Sequence, residues 1–168
     1  MVALRVAAVC ASAGACATGF PATCSDSKKV ISAGARISNG DGQVFLDDMA
    51  PNGLLTSVTA TAYEDQSGYA GNWSLSAYAV CANALSGHEF RTATATPNDS
   101  NDNVISVSCP GTKKVHGLGA KMNGAVGQAF HAGIYPSASL TQGVAISLED
   151  QDGYNNNWTN SIFVICAN

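Results

Sequence analysis

Apolar and polar side chains alternate with a period of two wherever the chain is most regular. Trp73, Leu75, Ala77, Ala79 and Cys81 alternate with Ser74, Ser76, Tyr78 and Val80. That spacing assigns the first set to one face of a β-strand. Cys81 therefore shares a face with Trp73, and this face is expected to be buried. Similar runs, bounded by Gly, Asn, Ser and Pro, predict strands at 90–96, 104–109, 113–122, 127–135, 144–149 and 158–166.

The pattern occurs twice. Displacing the chain by 85 residues aligns 24–83 with 109–168 without a gap, and 24 of the 60 paired positions are identical. Such fixed-period similarity marks an internal duplication. Lys28-Lys29-Val30 returns as Lys113-Lys114-Val115, and Gly42-Gln43 returns as Gly127-Gln128. The block EDQ-x-GY-x-x-NW runs from Glu64 to Trp73 and again from Glu149 to Trp158. Each copy closes on Cys-Ala-Asn. The stretch from Leu4 corresponds to that from Phe90 with one residue of phase shift, which extends the repeats to 1–84 and 85–168. The segment 6–17, after Arg5, has the character of a short signal peptide. Its place in the repeat reads it instead as part of the mature fold. Two copies give an all-β protein of about twelve strands, arranged as a β-prism, a sandwich or a barrel.

Composition supports this class. Of the 168 residues 46% are hydrophobic and 12% charged, and Ala, Val, Ile, Gly, Ser, Thr and Asn outweigh the strong helix formers. A net charge of -4, with no basic stripe, argues against nucleic acid as a partner. No apolar run reaches the length of a membrane span. The six cysteines form no C-x-x-C pair, so a disulfide framework in an oxidising, extracellular setting is expected rather than zinc. Symmetry pairs Cys24 with Cys81 and Cys109 with Cys166, leaving Cys10 for Cys16. Each long bridge would contribute about 4 kcal/mol through loop closure.

The run Cys109-Pro110-Gly111-x-Lys113-Lys114-Val115, then Gly117-x-Gly119-Ala120, then ED-x-x-GY-x-x-NW leading to Val-Ile-Cys-Ala, resembles a repeat of small secreted actinobacterial proteins. Those carry C-P-x-G-K and W-S-L-x-A-Y-A-V-C-A motifs. The likeness covers nearly the whole chain. The first copy departs from it at Ser25-Asp26 and Ser32-Ala33. It implies secretion and a β fold, and no activity. A weaker similarity is to the β-prism of the vitelline-membrane outer-layer type.

Chemistry is sparse. There is no G-x-S-x-G, no H-E-x-x-H and no phosphate-cradling loop, and no cofactor is expected. The repeated block offers carboxylates and amides (Glu64, Asp65, Gln66, Asn72; Glu149, Asp150, Gln151, Asn157) beside aromatic rings (Tyr69, Trp73; Tyr154, Trp158). A sugar could stack on the rings and hydrogen-bond the polar groups, with two equivalent sites giving bivalency. The same residues also suit a purely structural turn: a strand ends at Glu, a glycine takes a positive φ, and Trp anchors the next strand. A third reading, calcium on the acids, is weaker. The second copy is the more polar, with Asp152 and Asn155-Asn156-Asn157.

Asn123-Gly124 predicts a two-residue hairpin turn. Counting outward from it sets His116 opposite His131, close enough to share a metal ion. His88 has no evident partner in the sequence. The expectation is therefore a secreted, non-enzymatic binding protein that recognises carbohydrate or another cell-surface ligand. Alternatives are a structural or adaptor protein assembling with a protein partner, and an enzyme using His116 and His131.

Overall fold

A computed structural model describes residues 2–7, 11–12, 21–99 and 102–168. These residues form β-strands and turns without a helix. In chain order the strands are β1 (Ala3–Ala7), β2 (Ala11–Ser12), β3 (Ala22–Thr23), β4 (Lys29–Ser38), β5 (Val44–Pro51), β6 (Ser57–Glu64) and β7 (Trp73–Ala82), then β8 (Glu89–Thr94), β9 (Asp102–Ser108), β10 (Lys114–Asn123), β11 (Ala129–Pro136), β12 (Gln142–Glu149) and β13 (Thr159–Ala167). The six strands expected in the second copy are all present, with ends displaced by at most two residues.

Among the described residues the strands make three sheets and no closed barrel. In the first, β7 is flanked by β4 on one edge and by β1 and β2 on the other. The second has six strands in the order β3-β6-β5-β10-β13-β8, and the third has the order β11-β12-β9. The same pairings therefore recur in each copy: β4 with β7 as β10 with β13, and β5 with β6 as β11 with β12. Leu4 pairs with Val80 while Phe90 pairs with Ile165, so the one-residue phase shift read between these segments is also their register shift.

Irregularities recur as well. A bulge interrupts β4 at Ile31 and β10 at the equivalent His116. Another interrupts β5 at Asp47 and β11 at the equivalent Ala132. Bulges bend a strand and re-aim its side chains, so their recurrence reproduces the strand curvature of one copy in the other.

Within the first copy the β7 face carrying Trp73, Leu75, Ala77, Ala79 and Cys81 packs on Val58, Ala60 and Ala62 of β6. In the second, Ile162, Val164 and Cys166 of β13 pack with Ala145 of β12. Burial of these faces is the main favourable term. Disulfides Cys24–Cys81 and Cys109–Cys166 join the two sheets of each copy, both with Cα atoms 5.7 Å apart. The expected Cys10–Cys16 bridge lies outside the described residues.

The copies meet where β10 pairs with β5 through Ala120–Met49 and Lys121–Asp48. Gly119 permits this contact, since a Cβ there would stand 2.2 Å from the Met49 carbonyl oxygen. Strand β13 is consequently buried on both faces, and its Ile165 joins the core of the first copy. Strict alternation fails there because no face is left for water.

Candidate functional site

The two EDQ-x-GY-x-x-NW blocks end β6 and β12 and form the loops that follow. In each loop the glutamate does structural work. Glu64 Oε1 accepts the Trp73 indole N–H at 2.8 Å, and its Oε2 accepts the Tyr69 backbone N–H at 3.2 Å. Glu149 repeats this with Trp158 at 2.8 Å and Tyr154 at 3.0 Å. Both tryptophans are only 1% exposed. The expectation of a Tyr/Trp stacking platform is therefore corrected. The indoles face the core because a carboxylate of their own block satisfies the one polar atom they bring there. Tyr69 and Tyr154 are half-buried against the cores, and the Tyr69 hydroxyl donates to Asp41 at 3.0 Å. That hydrogen bond holds the phenol above its ordinary range. Asn72 and Asn157 are exposed and stand apart from the pocket described next.

The next two residues of each block behave differently. Asp65 and Gln66 from one loop, and Asp150 and Gln151 from the other, line a single pocket of about 320 Å³. Its apolar part is Phe45 of β5 with Phe130 of β11, ring centroids 5.4 Å apart and tilted by 39°. Ser67, Asp152 and Gly42 complete the wall. The Phe, Asp, Gln and Ser67/Asp152 pairs are each separated by 85 residues, so equivalent residues of the two copies line the same pocket. Two separate sites were expected; residues of both blocks instead line one pocket.

Backbone contacts hold this arrangement. The amide of Asp65 donates to the Gln43 carbonyl and that of Asp150 to the Gln128 carbonyl, both at 2.9 Å. These contacts dock each EDQ loop on the Gly-Gln segment that opens the neighbouring strand. Gly127 lets the copies touch here, because a Cβ would lie 2.2 Å from the Glu64 carbonyl oxygen. Gln66 Nε2 donates to Asp152 Oδ2 across the pocket. Asp150 Oδ1 accepts from the amides of Asp152 and Gly153 at 3.1 and 3.2 Å, whereas Asp65 Oδ1 is shut from solvent without a partner. The sequence reading did not select Phe45 and Phe130. Their identity in the repeated Gly-Gln-x-Phe segment was the signal for them.

The histidine pair is also corrected. Strand β10 pairs with β13 and β5, while β11 pairs with β12 and belongs to another sheet. Asn123-Gly124 therefore turns the chain between sheets, and His116 and His131 do not face each other. His116 is exposed at its bulge. Among the described residues no group of three His, Cys, Asp or Glu side chains is placed to hold a metal. His88 lies against β4, where burial lowers its pKa, a hydrogen bond to the Val30 backbone opposes the shift, and Lys29 and His116 add to it.

His131 has a structural position. Its Nε2 donates to the Asp47 carbonyl at 2.9 Å, which leaves Nδ1 to accept from the Ser147 hydroxyl, also at 2.9 Å. Asn160 Nδ2 donates to Ser147 Oγ at 3.1 Å and to the Asn103 carbonyl at 2.9 Å. The equivalents of His131, Ser147 and Asn160 in the first copy are Leu46, Ala62 and Leu75. Three apolar core positions of the first copy thus correspond to one hydrogen-bonded chain in the second. Burial lowers the His131 pKa, partly offset by its bond to Asp47 and by the charge of Asp48. A serine beside an imidazole suggests hydrolysis, but Ser147 is 0% exposed and no substrate reaches it.

Beside this chain the bulge at Asp47 places Asp47 and Asp48 next to each other in the junction, 6% and 7% exposed. Burial, and then the neighbouring Asp48 charge, push the Asp47 carboxyl up to about 7. Lys121 Nζ lies 3.1 Å from Asp48 Oδ2 and opposes the shift. The pair does not line the pocket. Comparison with known protein families, curated proteins and solved structures finds no match to the chain.

Proposed function

We propose that this is a secreted binding protein that recognises a carbohydrate, through one pocket built jointly by its two repeats. The observation that carries the reading is the convergence of Asp65-Gln66 and Asp150-Gln151 on either side of Phe45 and Phe130. Carboxylates and amides suit sugar hydroxyls, and an aromatic pair suits the apolar face of a sugar ring. The two disulfides support an oxidising, extracellular location, and among the described residues no helix is long and apolar enough to cross a membrane.

The reading favours binding over catalysis because the strongly shifted carboxyl, Asp47, and the Ser147–His131 contact both lie buried at the junction. Screening on a glycan array, followed by titration calorimetry of the ligands found, tests it. Binding should be lost in Gln66→Ala and in Gln151→Ala with the thermal midpoint little changed. Retained binding in both variants would contradict it.

A further inference from the structure

Residues that differ between the copies gather where the copies join. Strands β5 and β10 meet there through the register pairs Ala120–Met49 and Lys121–Asp48. Lys121 stands where the first copy has Arg36, and Asp47-Asp48 stand where the second has Ala132-Gly133. Consecutive residues of a regular strand point to opposite faces. The bulge in β5 at Asp47 instead brings the Asp47 and Asp48 carboxyls within hydrogen-bonding reach of each other.

Three groups therefore converge. Lys121 Nζ lies 3.1 Å from Asp48 Oδ2, so the carboxyl carbon is one covalent bond beyond a contact already made. Asp48 is buried, and its Oδ1 is shut from solvent and receives no N–H or hydroxyl donor. Asp47 is equally buried beside it, its backbone carbonyl fixed by His131 and its Oδ2 accepting from the Thr61 hydroxyl. Burial, and then the Asp48 charge, keep a proton on Asp47 up to about pH 7, and that proton can serve the Asp48 carboxyl. An amine and a carboxyl held in this way react as though very concentrated, with effective molarities of about 10⁵–10⁸ M for well-oriented pairs.

We propose that Lys121 and Asp48 join in an isopeptide bond, with Asp47 as the proton donor, which staples the two repeats covalently at their junction. Lys121 passes a proton to Asp48, and burial of that carboxyl favours the neutral pair over the ionic one. Nζ then attacks Cγ while Asp47 protonates the carboxyl oxygen. One Cγ–O bond breaks, and that oxygen leaves as water with two hydrogens of the former ammonium. Asp47 regains its proton, the two opposite charges vanish together, and no oxidant or reductant is consumed. The Lys121 side chain is 42% exposed, which gives the water a way out. Arg36 at the equivalent position is no substitute, since a guanidinium stays protonated. The bond spans a sequence separation of 73. It would constrain the unfolded chain as a disulfide does, and unlike Cys24–Cys81 and Cys109–Cys166 it would survive reduction.

Mass spectrometry of the full chain tests this. After complete reduction the intact mass should fall one water below that of the sequence. Trypsin should fail to cut after Lys121 and should release a branched peptide joining the segments that hold Lys121 and Asp48. Lys121→Arg and Asp48→Gly, which install the residues of the other copy, should restore the full mass. General acid catalysis contributes about 10²–10⁴-fold, so Asp47→Ala should leave most of the chain unjoined, whereas Asp47→Asn, which still donates to Asp48, should form the bond more slowly.

A full sequence mass in the wild type, unchanged by incubation in mildly acidic buffer where Asp47 holds its proton, would overturn the proposal and leave Lys121–Asp48 an ion pair. A lost water traced to a succinimide at Asp41-Gly42 or Asp152-Gly153 would overturn it equally. A branched peptide as abundant in Asp47→Ala as in the wild type would overturn the part given to Asp47. The wild-type peptide decides the bond itself, whether or not every variant folds.

Discussion

Burial favours the protonated form of Asp47 in the folded protein over the unfolded chain. Its carboxyl is raised from 3.8 to about 7, so between these values the folded state binds more protons than the unfolded one. Stability then falls as pH rises across that window and levels off above it. Asp47→Asn removes this dependence, and chemical denaturation at pH 8 should show a gain of about 1–3 kcal/mol. An unchanged pH profile would mean that Asp48, Lys121, Thr61 and Tyr63 around it accommodate the charge. His131 works in the opposite sense. Its pKa is held below the ordinary 6.5, so the unfolded chain takes up the proton first, and its contribution is lost as pH falls through 6.5. His131→Leu, the residue at the equivalent Leu46, should cost about 1–3 kcal/mol by leaving the Ser147 hydroxyl without its acceptor and the Asp47 carbonyl without its donor. Adding Ser147→Ala and Asn160→Leu should recover most of that loss, because the three positions act as one unit. Urea titration of the single and triple variants checks this.

Among the elements, the strands were legible because one buried face imposes a period of two, and the disulfides because a duplicated chain repeats its contacts. Strand β13 shows where that reasoning stops: buried on both faces, it loses its alternation while keeping its place. The turn at Asn123-Gly124 shows another limit. A local sequence can specify that the chain reverses, but which sheet the next strand joins is decided by distant partners, here β12 for β11. The repeated block illustrates a third. Its residues were legible, yet their directions were not, since the Glu64–Trp73 and Glu149–Trp158 bonds turn the rings inward and leave Asp and Gln at the pocket. Glu149→Ala should therefore act on stability, costing about 1–3 kcal/mol through loss of its bonds to the Trp158 indole N–H and the Tyr154 amide, measured by thermal unfolding. Breaking Cys109–Cys166 by a double change to Ser should cost about 2–5 kcal/mol under the same assay.

For the molecule as a whole, the duplication has two products. Identical residues such as Gly42 and Gly127 open the same strands in each copy, and Phe45 meets its equivalent Phe130 at the pocket. Differences then break the symmetry: the buried polar chain of the second copy, Asp47-Asp48 against Ala132-Gly133, and Ser67 against Asp152. A chain with one shared pocket gains no avidity from its own repeats, whereas two independent sites would. The stoichiometry of ligand binding distinguishes these arrangements directly. Calorimetric titration with a bound saccharide should give one site per chain, abolished by Gln66→Ala alone and by Gln151→Ala alone. Two sites per chain, each variant losing one of them, would contradict the shared pocket.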